Sequence, residues 1–209
     1  MQKKGLLVVI SGPSGAGKGT ICKALLEQND FWLSVSSTTR QPRKGEIEGT
    51  NYYFLSREQF EDRIAKDDFL EYAEVYGNYY GTPKSKALEA IEKGQDVVLE
   101  IDIQGALKVK DTYPEGVFIF ILPPSMEELK KRIINRGSET PESLMTRFKS
   151  AYKEINYISK YNYAVVNDTV EEAVQKIESI IVAERCRVDR VKEKILDSKE
   201  GIIHEQLYD

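Results

Sequence analysis

The stretch Ser11-Gly12-Pro13-Ser14-Gly15-Ala16-Gly17-Lys18-Gly19-Thr20 has the residue types and spacing of a phosphate cradle. Its glycines let backbone N–H groups converge on phosphate oxygens, and the helix start that follows adds partial positive charge. Lys18 brings a full charge to the outer phosphates. The run matches the Walker A pattern GxxxxGK, except that the Ser or Thr expected next is Gly19, and Thr20 comes one position later. Arginines are the second chemical set, because phosphoryl transfer depends on positioning and on stabilising charge spread over phosphate oxygens. Arg40 and Arg43 lie in Ser36-Ser37-Thr38-Thr39-Arg40-Gln41-Pro42-Arg43, a loop that Pro42 stiffens and Gly45 turns. Arg132 and Arg136 are four apart and share a helix face beside the apolar stripe of Leu129 and Ile133. Arg147 falls on the next helix. Isolated surface arginines are usually solvated or weakly paired. Beside a phosphate loop, anion binding is the stronger reading for most of these five.

Carboxylates form the third set. In Phe69-Leu70-Glu71-Tyr72-Ala73-Glu74-Val75, strand alternation puts Glu71 on the face of Ala73 and Val75. A carboxylate on an apolar face is costly unless it is paired or used. Two readings stand: a salt bridge to an arginine, or recognition of a base. Guanine presents an N1–H and an amino group side by side, and an ionised carboxylate accepts both. Adenine has an acceptor at N1 and would be rejected. Glu100 and Asp102 share a face where a core strand ends. They could hold a hydrated magnesium ion, contact substrate or fix an arginine. Tyr52, Tyr53, Tyr79 and Tyr80 crowd one segment, as core or as phosphate donors, and spacing does not choose among them.

The elements that must position these groups follow from the apolar pattern. Runs at 6–10, 97–101, 118–122 and 163–166 read as buried strands separated by helices, so the fold class is α/β with a mostly parallel sheet covered on both faces. Ser125 with Glu128 and Ser56 with Gln59 read as capping boxes. Thr140 before Pro141 and Thr82 before Pro83 read as N-caps with proline at the first helical position. Asp168 and Thr169 open a long final helix expected to run into the 190s. Two segments break the alternation: 34–81, rich in Tyr, Thr, Arg and Gly, and 125–160, two helices joined by Asn135-Arg136-Gly137-Ser138. The end, 192–209, reads as a frayed helix or flexible tail, and its His204 as non-catalytic.

Composition bounds the class. The 209 residues fit one domain, and 41% hydrophobic with 31% charged residues is ordinary for a soluble globular enzyme. A net charge of -4 argues against broad nucleic-acid binding. Cys22 and Cys186 are too few for a disulfide framework or a Cys-rich zinc site, and Cys22 reads as packing. The apolar stretch after Met1-Gln2-Lys3-Lys4 is too short to export or anchor the chain, so neither a membrane nor nucleic acid is an expected partner and the cytoplasm is the expected location.

Taken together, the blocks GPSGAGKGT, SVSSTTRQPRKGEIEG, FLEYAEVYGNYYGTP, LEIDIQG, LPPSMEELKKRIINRG and VVND resemble guanylate kinases in order and spacing, up to about Arg187. The resemblance implies ATP + GMP ⇌ ADP + GDP with Mg²⁺, in purine nucleotide metabolism, and use of dGMP as well. It also implies a P-loop core at about 1–33, 84–124 and 161–190, a mixed α/β GMP-binding arm at 34–83 and a helical lid at 125–160. Carried over by position, Ser36, Glu71, Thr82 and Asp102 would surround guanine, with Glu100 beside them. Arg40, Arg43, Tyr52 and Tyr80 would grip the GMP phosphate. Gly12 to Thr20 would hold the ATP phosphates, with Arg132, Arg136 and Arg147 closing over them and Asn167 near the adenine edge. Lys18, Arg40, Arg132, Arg136 and Arg147 would be the catalytic group.

Gly19 implies that the metal is held mainly through phosphates and water, near Asp102, with no direct protein ligand assigned. Glu100 stands where some relatives have Asp. Two other readings compete: a non-catalytic phosphopeptide-binding module of the same fold, and another P-loop nucleotide or sugar-phosphate kinase. The oligomeric state is open.

Overall fold

The structure, a computed structural model, describes residues 4–43, 45–75, 77–134 and 141–196, without the side chains of 75, 141–147 and 193–196. Strand β1 (Leu7–Ser11) is buried at every residue, as a strand covered on both faces must be. The glycine loop leads from it into α1 (Lys18–Gln28), which turns Ile21, Cys22 and Leu25 inward. A two-residue strand β2 (Trp32–Leu33) follows. The next elements are β3 (Ser37–Thr38), β4 (Tyr53–Phe54), α2 (Arg57–Ala65), β5 (Phe69–Val75) and β6 (Asn78–Pro83). The chain continues through α3 (Lys84–Glu92), β7 (Val97–Glu100), α4 (Ile103–Thr112) and β8 (Val117–Leu122). Helices α5 (Met126–Ile134) and α6 (Pro141–Ile155), a 3-10 turn, β9 (Tyr163–Val166), α7 (Val170–Glu184) and α8 (Val188–Leu196) complete it.

The five-stranded sheet runs β2-β7-β1-β8-β9, and each pairing is parallel. Alternation along β1 sends Val8 and Ile10 to one face, packed with Ile21, Leu25, Val174 and Ile177 of α1 and α7. Leu7 and Val9 go to the other face, against Ala87 and Ile91 of α3 and Val109 of α4. All four expected core strands are present, shifted by no more than one residue at either end. β2 escaped the sequence reading because two residues carry no period. Register places Ile10 beside Glu100 and Ser11 beside Phe120, so the chain leaves β1, β7 and β8 along one edge. Parallel sheets bind ligands along that edge.

The second sheet, β4-β3-β6-β5, is mixed. Phe60 of α2 is fully buried under it, stacked on Phe69 at 4.3 Å and Tyr79 at 5.1 Å between ring centroids.

Helix ends confirm some expectations and correct others. The Ser56–Gln59 box closes in both directions, at 3.2 and 2.8 Å. Ser125 Oγ accepts the Glu128 N–H at 3.1 Å, but the Glu128 carboxylate turns to Arg132 Nε at 2.9 Å. α6 is described from Pro141 onward, and Thr140, its expected cap, lies outside the described residues. Thr82 is not a helix cap. It lies in β6, Pro83 occupies the N-cap position, and the hydroxyl is drawn instead to a half-buried carboxylate that needs a donor. The open N–H groups of α3 are met from another segment: Asp68 accepts Lys84 N on its carbonyl at 3.1 Å and Ser85 N on Oδ1 at 3.0 Å. The final helix is also corrected. Thr169 caps α7 as expected, but helix stops at Glu184 and restarts as α8. At the break the Glu184 carboxylate, 1% exposed, is held by Tyr163 Oη, Arg187 and Arg190.

Candidate active site

The loop after β1 is shaped by what crowds it. Gly17 has φ 94 at the N-cap of α1, and a Cβ there would lie 2.3 Å from Asn167 Nδ2. Gly12, at φ 144, would put a Cβ 2.3 Å from the Ile121 carbonyl oxygen. Only glycine allows these backbones so close. The first turn of α1 has no side-chain cap, leaving its N–H groups turned toward the loop as an anion site. Lys18 Nζ arches over the loop to the carbonyls of Gly12 at 2.6 Å and Pro13 at 3.2 Å. Thr20 is exposed on the first turn of the helix.

Asn167, 4% exposed, buttresses this loop from the end of β9. Its Nδ2 donates to the Ala16 carbonyl at 2.8 Å, and its own carbonyl accepts both Arg132 terminal nitrogens at 3.3 Å. Arg132 is thereby brought beside the loop, braced by Glu128. Ser14, Gly15, Gly17, Lys18 and Gly19 line one pocket together with Glu100, Asp102 and a residue the sequence reading missed, Glu154 of α6. Ser14 N donates to Glu154 Oε2 at 3.4 Å.

A second pocket opens between the two sheets. Ser36, Tyr52, Glu71, Tyr80, Glu100 and Asp102 line it, as do Gln104, Gly105 and Lys108, which carried no sequence signal of their own. The Glu71 carboxylate is met by a hydroxyl rather than an arginine: Thr82 Oγ1 donates to Glu71 Oε1 at 2.8 Å. The face Glu71 shares with Ala73 is the wall of this pocket. Its second oxygen looks toward Gly105, where a Cβ would come within 3.2 Å. Asp102 caps α4 by accepting Gly105 N at 2.7 Å. Burial pushes the Glu71 carboxyl above the ordinary range, the Thr82 bond opposes this, nearby Asp102 adds to it and Lys108 opposes it.

Tyr52 and Tyr80 meet edge-on at 6.0 Å. Tyr53 and Tyr79 do not reach the pocket: Lys86 lies over the first and Phe60 stacks on the second. Arg40 stands outside the pocket wall but lies over Tyr52 at 5.5 Å. Its NH2 donates to Glu46 Oε1 at 2.9 Å, and Glu46 Oε2 accepts Arg43 N at 2.7 Å. Glu46 was missed by sequence, although an acid three residues past Arg43 and across Gly45 is the available signal. The bond from Glu46 raises the Arg40 pKa and lowers that of Glu46. The Arg43 side chain is exposed. Arg136 lies outside the described residues, and Arg147 is on α6 with its side chain outside them. Cys22 is buried packing, its thiol pKa pushed up by burial and by Glu100.

Glu100 and Asp102 line both pockets, so the two cavities meet at one acidic seam beside Lys18. A phosphate cradle that opens onto a second pocket is built for two ligands. A sequence model described as guanylate kinase matches residues 4–184. The chain belongs to the guanylate kinase family. A guanylate kinase of Clostridium tetani (strain Massachusetts / E88) is 76% identical over 208 residues, covering 100% of both chains. One from Caldanaerobacter subterraneus subsp. tengcongensis is 64% identical over 96% of this chain and 98% of its own. The crystal structure of guanylate kinase from Anaplasma phagocytophilum is similar with a TM-score of 0.75 at 37% identity, covering 96% of this chain and 98% of that one. The parallel core and glycine loop are those of the guanylate kinase fold. No helix among the described residues is long and apolar enough to cross a membrane.

Proposed function

We propose that this guanylate kinase transfers the γ-phosphoryl group of ATP to GMP, and to dGMP, giving ADP and GDP or dGDP. The shared seam of Glu100 and Asp102 carries the reading, because it sets a phosphate cradle directly against a pocket holding the half-buried Glu71 carboxylate. Glu71, ionised, accepts the guanine N1–H and amino group, with Thr82 fixing one of its oxygens and Ser36 and Asp102 beside it. Arg40, Arg43, Tyr52 and Tyr80 hold the GMP phosphate. Gly12 to Thr20 hold the ATP phosphates, and Asn167 braces the loop near the adenine edge. Residues 34–83 act as the acceptor arm and 125–160 as the lid, which brings Arg132, Arg136 and Arg147 over the transferring group.

The attacking oxygen belongs to a phosphate whose second pKa is about 6, so it needs no general base at neutral pH. The residues instead align donor and acceptor, neutralise charge and exclude water. Magnesium would supply charge neutralisation on the donor phosphates. The carboxylates at the seam fit it as hard oxygen donors: a Cβ on Gly19, where P-loop proteins usually place a hydroxyl, would meet Glu100 Oε1 at 3.4 Å. Glu100 and Asp102 are the residues that would hold it, through its water. We place the reaction in the cytoplasm, consistent with free rather than bridged Cys22 and Cys186.

A coupled assay of ADP release with GMP, dGMP, AMP, CMP and UMP tests this. Turnover is expected with GMP and dGMP and, for AMP, about 1000-fold lower kcat/KM or less. No turnover with GMP sinks the assignment. It would leave a phosphopeptide-binding module if nothing turned over, or a different kinase if another acceptor did.

A further inference from the structure

Among the described residues of the lid helix α6, Glu154 alone lines the phosphate pocket, and the transfer chemistry has no use for another carboxylate there. Its placement is braced at three points. Ser150 Oγ, one turn earlier, donates to Glu154 Oε1 at 2.9 Å. Ala151, on the same helix, is fully buried against Leu129 and Ile133 of α5. Those two side chains in turn abut the glycine loop, each 3.0 Å from where a Gly15 Cβ would stand. Glu154 Oε2 then accepts the Ser14 N–H, a loop donor of the kind that binds phosphate oxygen.

Among the described residues lining this pocket, Glu100, Asp102 and Glu154 face one lysine, Lys18. With Arg132 beside the loop, carboxylates still outnumber the described cations three to two, an unusual balance for a site that must hold a polyanion. A metal-free nucleoside triphosphate carries roughly four negative charges, and a divalent ion cancels two of them. Like charges at a few ångströms repel strongly when water is partly excluded. We propose that Glu154 makes the donor site select the metal-complexed triphosphate over the metal-free one, by repelling uncompensated phosphate charge at the glycine loop. This rests on reading that loop as the ATP site. Giving up the Ser14 bond affects both forms of the nucleotide alike, so it cancels in their ratio, while the charge repulsion does not.

Titration calorimetry of the full chain without GMP, using ATP with excess magnesium and ATP with a chelator, reads the ratio directly. Glu154→Gln keeps the shape and an acceptor for Ser150. It is expected to tighten metal-free ATP about five- to tenfold while moving the magnesium complex less than about twofold. Raising the salt concentration should shrink that gain. Glu154→Asp, which keeps the charge, should stay near the wild-type ratio. Equal tightening of both forms, no change in either, or an Asp variant that behaves like Gln overturns the proposal. Lys18→Met, run alongside, tests the underlying assignment separately: undiminished affinity for the magnesium complex would overturn the donor reading whatever Glu154 does.

Discussion

Glu71 is under two opposed demands. The proposed guanine recognition needs its carboxylate ionised, whereas burial and the neighbouring Asp102 favour the protonated form. A carboxyl whose folded pKa is raised binds its proton more tightly in the native state than in the unfolded chain. Stability is therefore greatest below the unfolded pKa and falls as pH rises through the raised folded value. Glu71→Gln keeps an acceptor for Thr82 and removes the charge. We expect kcat/KM for GMP to fall about 100-fold. Measured without nucleotide at pH 7, the melting temperature should rise by about 2–4 °C, and near pH 4 that gain should vanish. A variant that lost both selectivity and stability would show that Glu71 is structural. On the same logic, Glu71→Gln should remove the part of the pH dependence of GMP affinity that appears at a higher pH than ordinary surface carboxylates titrate.

At the scale of elements, the helix that follows β6 shows why local patterns mislead. Thr82-Pro83 reads as a cap, yet the orphan N–H groups of α3 are answered by Asp68, from the turn before β5, and Thr82 is left to hold Glu71. Asp68→Ala should lower stability by about 1 kcal/mol, or about 2–4 °C in melting temperature, with little change in the KM for GMP. Thr82→Val should do the reverse, leaving melting nearly intact and raising that KM. If the two variants exchanged these signatures, the division of labour between cap and site would be wrong. Glu46 makes a related point: it binds Arg40 and the Arg43 backbone together, so the proposed phosphate grip is ordered as one loop.

Across the whole molecule, the chemistry sits at one edge of the parallel sheet and a buried ionic staple at the other. Asp96, just before β7, accepts Leu6 N at 2.8 Å and pairs with Arg185 at the end of α7. It thus ties the start of the chain to its last core helix. Asp96→Ala leaves a buried N–H and an arginine without their acceptor, and should cost about 3 kcal/mol. Thermal unfolding should move down by about 6–12 °C, while kcat at 25 °C stays within about twofold, since the active edge is at the opposite strand ends. A large loss of kcat in folded protein would mean that the two ends are coupled.

The glycine loop was legible because its function requires particular residues at consecutive positions, and the core strands were legible because burial on both faces demands unbroken apolar runs. Local caps were legible where the partner is three residues away, as in Ser56 and Gln59. Partners distant in sequence were not. Glu154 at Ser14, Lys108 at Glu71, Asp68 at Ser85 and the break after Glu184 depend on contacts 6 to 140 residues apart. The sequence by itself determined the phosphate loop, the parallel α/β core and the family. Only the tertiary structure decided that Glu100 and Asp102 belong to both pockets at once, because strand register, which no local pattern encodes, sets the ends of β1 and β7 side by side.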